Sequence, residues 1–165
     1  MISRCYVIYI STFLILGITG CSNQQSVSAY TSEEINYFRK FQEHLTSMRS
    51  HMRNYDNISK EAKPPYDDPA TIEKLKYELD QAVLEAQTIA KLSCPSPKFN
   101  LLCNDIDNLQ ESVTSLRNNM NQYFSSDLNP AYRQNIIDAL NAITTTSQNI
   151  AEHVEELEQQ YGKIQ

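Results

Sequence analysis

Residues 101–124 read LLCNDIDNLQESVTSLRNNMNQYF. Leu102, Ile106, Leu109, Val113, Leu116, Met120 and Tyr123 recur at steps of four, three, four, three, four and three. A strand would alternate every second residue, so this spacing predicts an amphipathic helix with a heptad seam. A heptad seam buries itself only against another of its kind, and the rest of the chain supplies three.

Thr31 followed by Glu34 makes a capping box. Phe38, Phe41, Leu45, Met48, Met52 and Tyr55 then mark a first helix, which the interval NISKEAKPPYDDPA (57–70) breaks through its paired prolines. Asp68-Pro69 supplies an N-cap and a proline at the first helical position. Ile72, Leu75, Leu79, Val83, Ala86 and Ile89 mark a second helix. Ser96-Pro97 repeats that device before the central segment, and Asn129-Pro130 opens a fourth. On the fourth, Ile136, Leu140, Ile143, Ser147, Ile150, Val154, Leu157 and Tyr161 keep the same beat, with Ser147 a polar interruption. Only 3 glycines and no tryptophan in 165 residues agree with an all-α chain. The expected architecture is an antiparallel up-down-up-down four-helix bundle with coiled-coil-like packing over residues 31–165. A monomer and a homodimer of long hairpins both satisfy it.

The first residues carry a different signal. Arg4 precedes the apolar run YVIYISTFLILGI, which is too short for the roughly 20 residues of a spanning helix but fits a signal peptide. The run ends in Ile18-Thr19-Gly20-Cys21. This aliphatic residue, two small residues and cysteine resemble the lipobox of bacterial lipoproteins. The resemblance covers residues 1–21 and names no family for the remainder. It implies that residues 1–20 are cleaved and that Cys21 carries a diacylglyceryl group that anchors the chain to a membrane. Two acyl chains give stable anchoring where one does not. The implied location is the cell envelope, and in a Gram-negative host Ser22 resembles the outer-membrane sorting pattern. Residues 21–30 are the lipidated cysteine and a flexible tether, since SNQQSVSAY (22–30) is small, polar and aperiodic.

Export changes the reading of the remaining cysteines. Cys5 leaves with the signal, and Cys94 and Cys103 form an even pair in a compartment where disulfides persist. A bridge between them is expected. The absence of a C-x-x-C pair argues against redox catalysis.

Charge excludes one class of partner. The chain carries a net charge of -6, and cleavage removes Arg4 and no acid. Nucleic-acid binding rests on clustered cations, so no nucleic-acid partner is expected.

For function, two loops are expected to meet at the end away from the tether. They bring Pro64, Pro65, Tyr66, Asp67 and Asp68 together with Asp127, Leu128 and Tyr132. Tyrosines give large contact area at low entropic cost, so this tip is the candidate surface for another envelope protein. The same tyrosines would also serve as a cover over the open end of the core. A second constellation is His44, Met48, His51 and Met52 on one face of the first helix, with His153 at similar height on the fourth. Imidazole and thioether suit copper or haem, but methionine at seam positions is more often core filling. Flanking histidines can instead pair with glutamates of the neighbouring helix. No metal or other cofactor is therefore expected. Glu152, Glu155, Glu156 and Glu158 read as a solvated face. With no phosphate-binding loop or nucleophile elbow in the sequence, the chain reads as a binding protein rather than an enzyme. Two alternatives remain: a bundle that binds a small ligand, metal or haem in the interior around His44, Met48 and His153, and a passive structural or surface-coat protein.

Overall fold

The computed structural model describes residues 29–62, 68–126 and 128–164. Residues 1–28, which hold the expected signal peptide, Cys21 and most of the expected tether, lie outside the described residues, as do Pro64, Pro65, Tyr66, Asp67 and Asp127.

Within the described residues the chain is all-helical, with helices α1 (Ser32–Ala62), α2 (Pro69–Ala90), α3 (Asn100–Ser125) and α4 (Arg133–Tyr161). Their 22 to 31 residues correspond to lengths of about 33 to 47 Å at 1.5 Å per residue. Helix α1 packs on α2, α2 on α3 and α3 on α4.

The ends of the helices follow from local chemistry. The Thr31 N–H donates to Glu34 Oε2 at 2.7 Å while the Glu34 N–H donates to Thr31 Oγ1 at 3.2 Å, the reciprocal bonds of a capping box. Asp68 accepts from the N–H groups of Ala70 and Thr71 and starts α2 with Pro69 at its first position. Helix α1 runs on to Ala62, further than its apolar beat predicts. Residues 57–62 contain nothing hostile to a helix, and Ile58 still packs on the core. Asp56 and Lys60 also pair one turn apart.

The other two proline starts differ from the simple pattern. Ser96 makes no capping bond of its own; Pro97–Phe99 form a single 3-10 turn that leads into α3. Asn129 does cap, accepting from the Ala131 N–H at 3.0 Å, but again onto a 3-10 turn, Pro130–Tyr132, before α4 begins. Such turns are common at helix starts because the tighter winding satisfies N–H groups that lack an intrahelical partner.

All seven seam residues of α3 are buried, as are the six expected on α1. On α2, Leu75, Leu79, Val83, Ala86 and Ile89 are buried and Ile72 is half-buried. Helix α4 departs from expectation. Ile143, Ile150 and Leu157 are buried, but Ala139 and Thr146 join them while Ile136, Leu140, Ser147 and Val154 are half-buried. Thr146, not Ser147, is thus the polar residue in the seam. Tyr30, expected in the tether, belongs to the core at 7% exposure.

Candidate functional site

The densest polar arrangement lies where the chain leads into α1. Glu34 is buried at the start of that helix, and its carboxylate accepts from the Thr31 N–H, from Ser96 Oγ at 2.6 Å and from Lys98 Nζ at 2.9 Å. Burial pushes its pKa up, but the bonds from Ser96, Thr31 and Lys98 prevail and bring it down to about 2. Lys98 serves several groups at once. Its Nζ donates to the Ala29 carbonyl at 3.1 Å and lies 4.4 Å from the ring centroid of Tyr30 and 4.8 Å from that of Tyr161. A cation over two aromatic faces is attracted by both quadrupoles.

The same residues tie the two ends of the described chain together. The Ala29 N–H donates to the Tyr161 carbonyl at 3.4 Å, and the Tyr30 hydroxyl donates to the Leu157 carbonyl at 2.7 Å. Burial, with the charges of Glu158 and Glu34, pushes the Tyr30 hydroxyl up to about 12, so it remains a donor. Phe99 is wholly buried between Tyr30 and Tyr37, its ring edge-on to both. The lead-in, the α2–α3 loop and the end of α4 therefore form one clasp. That loop also brings Cys94 and Cys103 to disulfide-bonding distance, with their Cα atoms 6.1 Å apart.

At the candidate tip, the described residues have structural duties. Asp68 is exposed, but its carboxylate is engaged in capping α2 and also accepts from Thr71 Oγ1 at 2.7 Å. These bonds hold its pKa below the usual carboxylate range. Leu128 has φ 60°, an uncommon conformation for a residue with a side chain, and its N–H donates to the Tyr123 carbonyl at 3.0 Å. Leu128 and Tyr132 are both half-buried against the core.

The histidines are each taken by a carboxylate of a neighbouring helix. His44 Nδ1–H donates to Glu85 Oε2 and His51 Nδ1–H to Glu78 Oε2, both at 2.7 Å, and His153 Nδ1–H donates to Asp105 Oδ2 at 2.6 Å. Ser47 Oγ donates to the other Glu85 oxygen at 2.8 Å. Burial raises the Glu85 pKa, but the bonds from His44 and Ser47 outweigh it and leave a net lowering. Met48 and Met52 are buried in the core. His44 and His153, expected at similar height, thus engage different helices. Among the described residues no cluster of three or more His, Cys, Asp or Glu side chains is placed to hold a metal ion. None of the described helices is long and apolar enough to cross a membrane.

Two features escaped the sequence reading. One is the clasp, whose Ser96–Glu34 and Lys98–Ala29 contacts join residues 62 and 69 positions apart. The capping box signalled Glu34, but nothing local pointed to Lys98. The other is an open groove of about 490 Å3 between α3 and α4, where Ser112, Ser115, Ala139 and Ala142 leave space between the helices. Compared with known proteins, the chain matches no protein family, no characterised protein and no solved structure.

Proposed function

We propose that this chain is a lipid-anchored protein of the bacterial cell envelope, held to a bilayer by a diacylglyceryl group on Cys21. In this reading it works by binding another envelope protein through its distal loops, without catalysis of its own. The helices form an antiparallel up-down-up-down bundle with coiled-coil-like packing. Support for the antiparallel order comes from the pairings along the helices. His44 meets Glu85 and His51 meets Glu78, so numbers on α2 fall as those on α1 rise. Asp105 meets His153 and Asn119 meets the Asn135 carbonyl in the same inverse sense for α3 and α4. Tyr37 reaches Cys103 and Tyr55 reaches Met120, numbers that rise together, as they would for parallel α1 and α3.

The observation that carries the functional reading is the clasp on Ala29, Tyr30 and Glu34. It commits the chain to leave the helices beside the Cys94–Cys103 loop. Only eight residue steps separate Cys21 from Ala29, and linkers of that length reach about 15 Å, so this end would face the bilayer. Asp68, Leu128 and Tyr132 would then face away from it, at the end of a rod roughly 45 Å long. A protein presented this way has its distal loops free to meet a partner.

Two measurements test the proposal. Cys21→Ser is expected to move the protein from the membrane to the soluble fraction, and an unaltered distribution refutes the anchor. The second is crosslinking and pull-down of the full-length protein from native envelopes, beside a Tyr66→Ala, Tyr132→Ala variant. One stoichiometric envelope protein, lost in a variant that melts as the parent does, supports the tip as a partner site. Equal capture by both proteins, or a variant that loses its helicity, refutes it and leaves these tyrosines as cover for the core.

A further inference from the structure

The Cys94–Cys103 pair closes the α2–α3 loop, and this loop is also the strap across the lead-in. Ser96 and Lys98 stand between the two cysteines, and both bind Glu34. Lys98 in addition holds the Ala29 carbonyl and the rings of Tyr30 and Tyr161. The covalent link and the polar clasp thus share one short segment.

The two sulfurs are not equivalent. Cys94 is exposed, whereas Cys103 is half-buried in the first turn of α3 with its Sγ 3.4 Å from the Tyr37 hydroxyl. We infer that Cys94 is the point of attack in a thiol–disulfide exchange that opens this strap and frees the lead-in, with Tyr37 stabilising the sulfur that leaves. The reductant is of the thiol class, a dithiol carrier or two equivalents of a monothiol. Its thiolate forms a bond to Cys94 Sγ as the bond to Cys103 breaks, and the electron pair stays on Cys103, where the Tyr37 O–H donates to it. A second thiolate of the reductant then attacks its own sulfur in the mixed disulfide and releases Cys94. The reductant ends as a disulfide, and the two cysteines take up the two protons that its thiols gave to solvent. A leaving thiolate that is stabilised leaves faster, and exchange is selective for the accessible sulfur. Burial, with the nearby charge of Asp107, pushes the Tyr37 hydroxyl up to about 12, so it stays protonated and able to donate.

Opening the link removes the restraint that holds Ser96 and Lys98 opposite Glu34, while the helix seams have no share in the bond. The consequence is a local change: the joint between tether and helices loosens and the core stays packed. This inference goes beyond the partner reading and does not depend on what the distal loops bind.

The test uses the oxidised full-length protein and reduced glutathione. Mixed disulfides are trapped with acid and N-ethylmaleimide and mapped by peptide mass spectrometry. Glutathione is expected on Cys94, and Tyr37→Phe is expected to slow its attachment about three- to tenfold, the scale of one hydrogen bond. Hydrogen exchange of the fully reduced protein should rise at least tenfold over residues 29–34 and stay unchanged at Leu79, Leu109 and Leu116. Lys98→Ala should produce the same release in the oxidised protein without changing the rate of glutathione attachment. Glutathione on Cys103, an unchanged rate in Tyr37→Phe, or residues 29–34 equally protected in both redox states would each overturn the inference.

Discussion

Glu34→Gln removes the charge at the centre of the clasp while keeping its size and most of its hydrogen-bonding shape. Glu34 is 4% exposed, and its carboxylate accepts bonds from Thr31, Ser96 and Lys98. Its pKa falls from 4.5 to about 2 in the folded protein. At 1.36 kcal/mol per pH unit this corresponds to roughly 3 kcal/mol at most, and solvent screening at the end of the molecule reduces it to about 2 kcal/mol. The unfolded chain takes up a proton near pH 4.5 while the folded one resists until about 2. The contribution is therefore complete above pH 4.5 and is lost as the pH falls toward 2. In thermal melting followed by circular dichroism at neutral pH, Glu34→Gln is expected to melt about 8 °C lower, at roughly 4 °C per kcal/mol for a domain of this size. As the solution is acidified the gap should close, because the parent becomes neutral at Glu34 as well. A gap that stays constant from pH 7 to pH 2 would refute the reasoning, since the loss would then come from packing and not from the charge.

Three further substitutions probe other parts of the fold. Leu116 is fully buried, so Leu116→Ala is expected to cost about 2–5 kcal/mol in urea unfolding through the cavity it leaves. Asp68→Ala removes the acceptor for two N–H groups at the start of α2 and should cost about 1 kcal/mol in the same assay. Tyr30→Phe deletes the hydroxyl bonded to the Leu157 carbonyl, at a cost of about 1 kcal/mol. Hydrogen exchange should show that loss as faster exchange in the last turns of α4.

The apolar beat was enough to locate α3 and α1, because those helices bury their whole seam. It was less reliable for α4, where Ala139 and Thr146 are buried and Ile136, Leu140 and Val154 only half so. Helix α4 draws its helix–helix packing chiefly from α3. A helix buried mainly against one neighbour centres its stripe on the residues facing that neighbour, and small residues there allow close approach. Hydropathy alone ranks Ile and Leu above Ala and Thr and so displaces the stripe by one position. The clasp was less legible still. Its contacts cross more than 60 residues, and local pattern carries no information about which distant loop will meet a buried glutamate. Ser96 looked like a cap because Ser-Pro often is one, yet its hydroxyl is spent on Glu34.

The histidine–carboxylate pairs answer a problem that the seam itself creates. An apolar pattern that repeats every heptad is nearly unchanged when one helix slides seven residues past the other, so burial alone discriminates poorly between registers. His44 and His51 are seven residues apart, as are Glu78 and Glu85 that receive them. A slip of one heptad would pair one histidine with one glutamate and leave the other two half-buried without partners, which costs more than the bonds themselves contribute. The pairs thus act against wrong registers more than they stabilise the right one. Replacing His44, His51, Glu78 and Glu85 together with leucine removes both pairs and is expected to leave the melting temperature unchanged or higher, since well-packed apolar residues can match such pairs. The same variant should show doubled or broadened amide resonances along α1 and α2. A single sharp set of resonances would mean that the remaining packing already specifies the register.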